Sequence, residues 1–256
     1  MPSNYQKINR LYRALRLHYG PQRWWPARNS FEVIVGAYLT QNTAWSNVVR
    51  ALGSLRRAGK LNVEGIRSLS VSALEKLIRA SGFFRQKSRS LKIFVQYLDA
   101  HHGGSLRRMF ARHRGRLAAV HQLRAELLEL TGVGRETADS ILLYAGNLPI
   151  FVVDAYTRRV FLRHHLIDDD AAYEDIRTLV ERALGGDGRR KAGSGDPGLN
   201  PGLNIEAQRN SARHFNEMHA LLVRVGKDHC YKSAPNCDRC PLRKLLPKGA
   251  VRQRAS

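Results

Sequence analysis

Asp154 closes an apolar run, Ile150-Phe151-Val152-Val153, and is the only acid in that stretch. A fixed carboxylate can stabilise positive charge that develops on a reacting carbon, and it can orient or deprotonate a water molecule. It reads equally as the N-cap of a helix over 155–165, ahead of Thr157 and Arg158, and the residues alone leave both readings open. Eighteen residues before Asp154 stands Glu136, directly after the turn Gly132-Val133-Gly134-Arg135. Two glycines one residue apart allow a tight turn. The amides that follow would sit at a helix N-terminus, where unpaired N–H groups and partial positive charge suit a phosphate. We read the pair as a DNA-gripping hairpin followed by a catalytic carboxylate. Near the C-terminus, Cys230, Cys237 and Cys240 are the chain's three cysteines. Their crowding points to a metal site rather than a disulfide framework.

The elements that must position these groups follow from periodicity. Apolar residues 123–130 lead into the hairpin turn as a helix, and residues 137–145 lead out as another. Upstream, Ile8, Leu11, Tyr12, Leu15 and Tyr19 share a helical face that Gly20 can end. Trp24 and Trp25 precede Pro26, which bars both from one long helix. They anchor the connection on a core or line a pocket for a flat ligand. Ser30 is the expected cap of a helix from Phe31, ending in the polar loop Leu39-Thr40-Gln41-Asn42-Thr43. Further helices are expected from Trp45 to about Leu55, after the capping pattern Ser72-Ala73-Leu74-Glu75, and over 88–101. Residues 105–120 are strongly basic and read as an irregular helix or a turn. Residues 150–153 read as an extended buried connector, followed by helices over 156–165, 171–184 and 206–225. Residues 185–204, rich in Gly, Pro and charge, read as a flexible insertion. No period-2 alternation is sustained, so the expected fold is all-α.

Composition bounds the partners. The 256 residues carry 43 Lys plus Arg against 21 Asp plus Glu, a formal charge of +22. Such a bias predicts a polyanion, nucleic acid or an acidic membrane face; solubility tuning or a high-GC genome would also produce it. The N-terminus has no apolar core of a secretory signal, and the uncharged run 140–153 is too short to span a bilayer. A soluble, cytoplasmic, monomeric protein without a membrane partner is expected.

The hairpin, Asp154 and the cysteine spacing, in this order on a basic helical chain, resemble the endonuclease III-like superfamily of helix-hairpin-helix DNA glycosylases. The resemblance runs from about residue 31 to 242. It implies two helical domains flanking a DNA-binding cleft: a central one over 30–148, and a discontinuous one from 1–29 with 149–256. It implies double-stranded damaged DNA as partner, with Gly132, Val133, Gly134 and Arg135 on phosphates. Gln41 would enter the duplex where the target nucleotide has left, because the glycosidic carbon is unreachable in the stack. Asp154 is then the catalytic residue.

Two departures carry information. Bifunctional members have a lysine just after the Gly-x-Gly-Arg; here Glu136 stands there, and a carboxylate cannot form an imine. Together with Trp24, Trp25 and Trp45, Glu136 makes the chain most similar to the bacterial 3-methyladenine DNA glycosylases of the endonuclease III-like type. Those residues would surround an alkylated, cationic purine, drawn by ring faces and the carboxylate. Glu136 also reads as a first-turn acid that complements a helix dipole. The second departure lies at the C-terminus, where the family's [4Fe-4S] loop would take Cys230, Cys237 and Cys240. The fourth thiolate position is Leu246, so the ligand set is incomplete. A monofunctional glycosylase without lyase action is expected. The alternatives are a glycosylase for uracil or mismatched thymine, and a non-catalytic helix-hairpin-helix DNA-binding protein.

Overall fold

The computed structural model describes residues 2–22, 24–185 and 205–247. Among them there are helices and no strand, as the lack of period-2 alternation implies. The chain divides into two compact units, Trp25–Leu148 and Met1–Trp24 with Pro149–Ser256. The first boundary thus falls between Trp24 and Trp25. The insertion expected over 185–204 lies, apart from Gly185, outside the described residues.

The central unit is built on α2 (Ser30–Thr40). Every residue from Phe31 to Leu39 is buried, the pattern of a helix enclosed on all sides. Around it stand α3 (Trp45–Arg57), α4 (Val63–Ser68), α5 (Val71–Ile78), α6 (Phe84–His102), α7 (Leu106–His113), α8 (Leu117–Leu128) and α9 (Arg135–Ser140). A single π turn, Ile141–Ala145, extends α9. Two expected caps move. Asn29 caps α2, accepting from the Glu32 N–H at 2.9 Å, while the Ser30 hydroxyl donates to the Ala145 carbonyl at 2.8 Å. Ser70 caps α5 through the Ala73 N–H, which leaves Ser72 inside the first turn. A helix start is decided between neighbouring polar side chains by their tertiary partners, which spacing does not reveal. The helix expected over 88–101 begins at Phe84, and the basic stretch after Gly104 forms α7 and the start of α8.

The second unit packs α1 (Asn4–Tyr19), α10 (Ala155–Arg163) and α11 (Tyr173–Leu184) on the long α12 (Ile205–Asp228). Ser3 and Gln6 close a reciprocal capping box at the start of α1. Residues 149–154 lie in no helix or strand and are mostly buried. Their backbone has no strand partner, so side chains serve it. Phe151 N–H donates to Glu181 at 2.9 Å, and Val153 N–H donates to the Tyr173 hydroxyl at 3.3 Å. Glu181 is in turn held by Arg177 at 2.6 Å. This bonding delivers Asp154 to the head of α10.

Candidate active site

In the central unit α8 ends at Leu128 and the chain turns through Gly132 into α9. Gly132 has φ +86°, and a Cβ there would come within 2.1 Å of Ser90 Oγ, so only glycine fits. Gly134 is extended, with open space around it, and leads into the exposed first turn of α9 with Arg135 and Glu136. The expected set of phosphate-gripping amides loses one member. Val133 is buried and its N–H is spent on the Leu130 carbonyl at 3.0 Å, so Val133 shapes the turn instead.

Gln41 follows α2 directly, ahead of Asn42 in the left-handed region at φ 50°. Its side-chain amide docks on the hairpin, donating to the Gly132 carbonyl at 2.9 Å and to Thr137 Oγ1 at 2.8 Å. The loop expected to meet the duplex is thus tied to the turn expected to hold its phosphates. Trp25 gathers a ring cluster in the same unit. Trp45 stands edge-on to it at 5.4 Å and Tyr144 is tilted at 5.2 Å. Tyr144 comes from the π turn, a departure from helical period that no spacing in the sequence marks. Trp24 belongs to the other unit. Phe83, which no motif in the sequence marks, is an aromatic at φ 45° that is 65 % exposed. Arg79 and Arg85 both lie over the ring of its neighbour Phe84.

In the second unit Asp154 is the N-cap of α10, one oxygen accepting the Thr157 N–H at 2.7 Å. The other oxygen lies 3.5 Å from Nε2 of His219, a buried residue on α12. The carboxyl is 12 % exposed. Burial opposes its charge, but His219 and the bonds from Thr157 outweigh that and hold it below the usual carboxylate range. His219 stands one turn after Phe215 on an apolar face. A polar residue interrupting such a face was the available signal for it. Phe151 packs edge-on against the imidazole at 6.2 Å.

The C-terminal cysteines line one cavity together with His229, Leu242 and Leu246. A four-thiolate iron–sulfur cluster does not fit these donors. Leu246 fills the fourth place with an apolar side chain, and the Arg163 guanidinium donates to Cys230 Sγ at 3.0 Å. Burial pushes the Cys240 thiol up to about 11. Among the described residues no three His, Cys, Asp or Glu side chains are disposed to hold a metal ion. The loop is instead fastened to α10: Arg163 also holds the Tyr231 and Lys232 carbonyls, and Arg159 holds those of Cys230 and Gly226.

A helical chain with a Gly-x-Gly hairpin and a capping aspartate beyond it defines a class that comparison identifies. Residues 35–185 match the HhH-GPD superfamily base excision DNA repair protein model, and the chain belongs to that family. It is 38% identical, over 95% of its length and 97% of the relative's, to a protein of Methanocaldococcus jannaschii described as a DNA repair glycosylase. Two solved structures share the fold. One is an endonuclease III trapped as a covalent intermediate with DNA, with a TM-score of 0.72 and 21% identity over 99% of this chain and 100% of that one. The other is a 3-methyladenine DNA glycosylase of H. pylori bound to 1,N6-ethenoadenine, with a TM-score of 0.66 and 23% identity over 88% and 98%. No helix among the described residues is long and apolar enough to cross a membrane.

Proposed function

We propose that this DNA repair glycosylase is monofunctional and hydrolyses the N-glycosidic bond of an alkylated purine of the 3-methyladenine type, flipped out of double-stranded DNA. It acts as a monomer in the cytoplasm, on nucleoid DNA. The observation that carries the catalytic part is Asp154, a mostly buried carboxyl held below its usual range by His219 and Thr157. Such a group remains an anion facing the sugar as the bond to the base breaks and positive charge builds there. Water attacks the sugar carbon; Asp154 orients it and takes its proton, and the electron pair of the broken bond leaves with the base.

Two features support the finer reading. Glu136 occupies the lysine position of lyase-active relatives, and the lysine nearest in sequence, Lys92, donates to the Arg67 carbonyl at 2.8 Å. Trp25, Trp45 and Tyr144 form a ring cluster in the unit that carries Glu136. Ring faces and a carboxylate favour a cationic base, and alkylation at a ring nitrogen produces one while weakening its glycosidic bond. On the surface of that unit, Gly134 and Arg135 are exposed at the start of α9, where a phosphate would meet them, and Phe83 is exposed to a base face.

The test is to incubate the protein with methylated, uracil-containing and oxidised duplexes and to identify the free base. Release of 3-methyladenine without uracil is expected. Uracil or thymine release would reassign the substrate. A capping role accounts for the Thr157 bond without any chemistry, and Asp154→Asn separates the two duties. Asparagine caps as well as aspartate, so the fold and duplex binding should be retained, with only the stability due to the charge lost. Base release should be abolished, and persistent turnover would remove Asp154 from the mechanism.

A further inference from the structure

Lys87 is buried in α6, 2 % exposed, with no carboxylate paired to it among the described residues. Its ammonium donates at 2.8 Å to the Leu39 carbonyl and at 2.8 Å to the Ser81 carbonyl. Leu39 lies in the last turn of α2, where carbonyls lack helical partners and carry partial negative charge. Two residues on comes Gln41. Ser81 ends a short 3-10 turn, and Gly82 and Phe83 follow with φ of 64° and 45°. One side chain therefore holds the stems of two turns that each present a distinctive side chain. Three residues along the same helix, and so on the same face, Ser90 abuts Gly132, whose carbonyl accepts from Gln41. The turns at 39–43, 79–83 and 131–134 all fasten to one side of α6.

We infer that Lys87 is a positioning residue that locks the Gln41 loop and the Phe83 turn into one preformed unit, so that both side chains meet the duplex in a fixed register. What the two turns do there rests on the glycosylase reading above; that they are tied does not. Packing alone gives no reason for a lysine here. An ammonium without an acid partner is costly to bury, and burial lowers its pKa to about 8. A methionine would fill similar space without that cost. What lysine adds is several donors on one atom, enough to serve two carbonyls from different elements at once. Distorting DNA around a flipped nucleotide costs energy, and elements already ordered do not also have to lose conformational entropy at that moment.

The experiment compares wild type, Lys87→Met and Lys87→Gln by hydrogen exchange without DNA, by affinity for an undamaged duplex, and by single-turnover base release from a methylated duplex. In both variants amides of 39–43 and 79–83 should exchange faster together, by about tenfold or more, while α8 and the second unit keep their protection. Undamaged-duplex affinity should stay within about twofold, because the α9 terminus is untouched. Base release at saturating enzyme should fall by about tenfold or more, a loss in the rate and not in binding. Wild-type exchange in both turns, or a uniform loss of protection across the whole unit in both variants, would overturn the tie. Faster exchange with undiminished base release would overturn its role in positioning. If wild type itself releases no base from any duplex, the substrate reading fails while the exchange result still decides the tie.

Discussion

At the scale of single residues, Asp154 caps a helix and keeps a charge with the same carboxyl. Its folded pKa lies below the ordinary carboxylate value. The stability it contributes is therefore present above that ordinary value and lost as the pH falls through the folded one. Base release should follow the same sign, with an acid limb below the usual carboxylate range. Removing the imidazole leaves burial, the largest influence on the group, less opposed. His219→Gln is expected to move that limb to higher pH in single-turnover profiles; an unmoved limb would mean that Asp154 does not feel His219. The monofunctional proposal makes a separate prediction at Glu136. Borohydride should trap no enzyme–DNA adduct with the wild type, and an adduct that survives Glu136→Ala would contradict the monofunctional reading.

At the scale of elements, the hairpin and α10 each depend on a contact made far along the chain. Gly132→Ala forces a Cβ into Ser90 Oγ and a strained φ together. The expected cost is about 1–3 kcal/mol, with weaker binding of any duplex, read by thermal unfolding and by titration with undamaged DNA. α10 is capped by Asp154 and fastens the cysteine loop through Arg159 and Arg163. Leu246→Cys supplies the thiolate that the loop lacks. After anaerobic treatment with iron and sulfide it should gain bound iron and a visible charge-transfer band, whereas the wild type should gain neither in stoichiometric amount. A full cluster in the wild type would refute the misfit. These elements also mark how far sequence reading reaches. The hairpin, the connector over 150–153 and the Asp154 cap were legible because local spacing and special backbone positions write them into neighbouring residues. His219, Tyr144, Lys87 and Phe83 were not. Their importance comes from partners 65 residues away in one case (Asp154 to His219), a π turn, a pair of carbonyls, and a left-handed φ on a residue type that rarely adopts it.

At the scale of the molecule, a formal charge of +22 fixes how binding should respond to salt. Affinity for an undamaged duplex should fall steeply and log-linearly, by about a thousandfold between roughly 50 and 200 mM salt if several phosphates are held. Asp154→Asn should show the same slope, since the counterions displaced are the same. A flat salt response would detach the charge from DNA binding. The all-helical architecture was readable because burying an apolar stripe at helical period leaves few alternatives. Which of two adjacent polar residues begins a helix was not, as Asn29 and Ser70 show. The cap at the head of α10 has a genetic corollary. Asparagine codons differ from those of aspartate by one transition, and either residue can cap a helix. Selection for folding alone would therefore feel the exchange only through the lost charge. With Asp154 catalytic as proposed, a lineage could pass in one step from a repair enzyme to an inert protein that still occupies lesions and shields them from other repair, so alleles of this kind should behave as dominant mutators rather than simple losses.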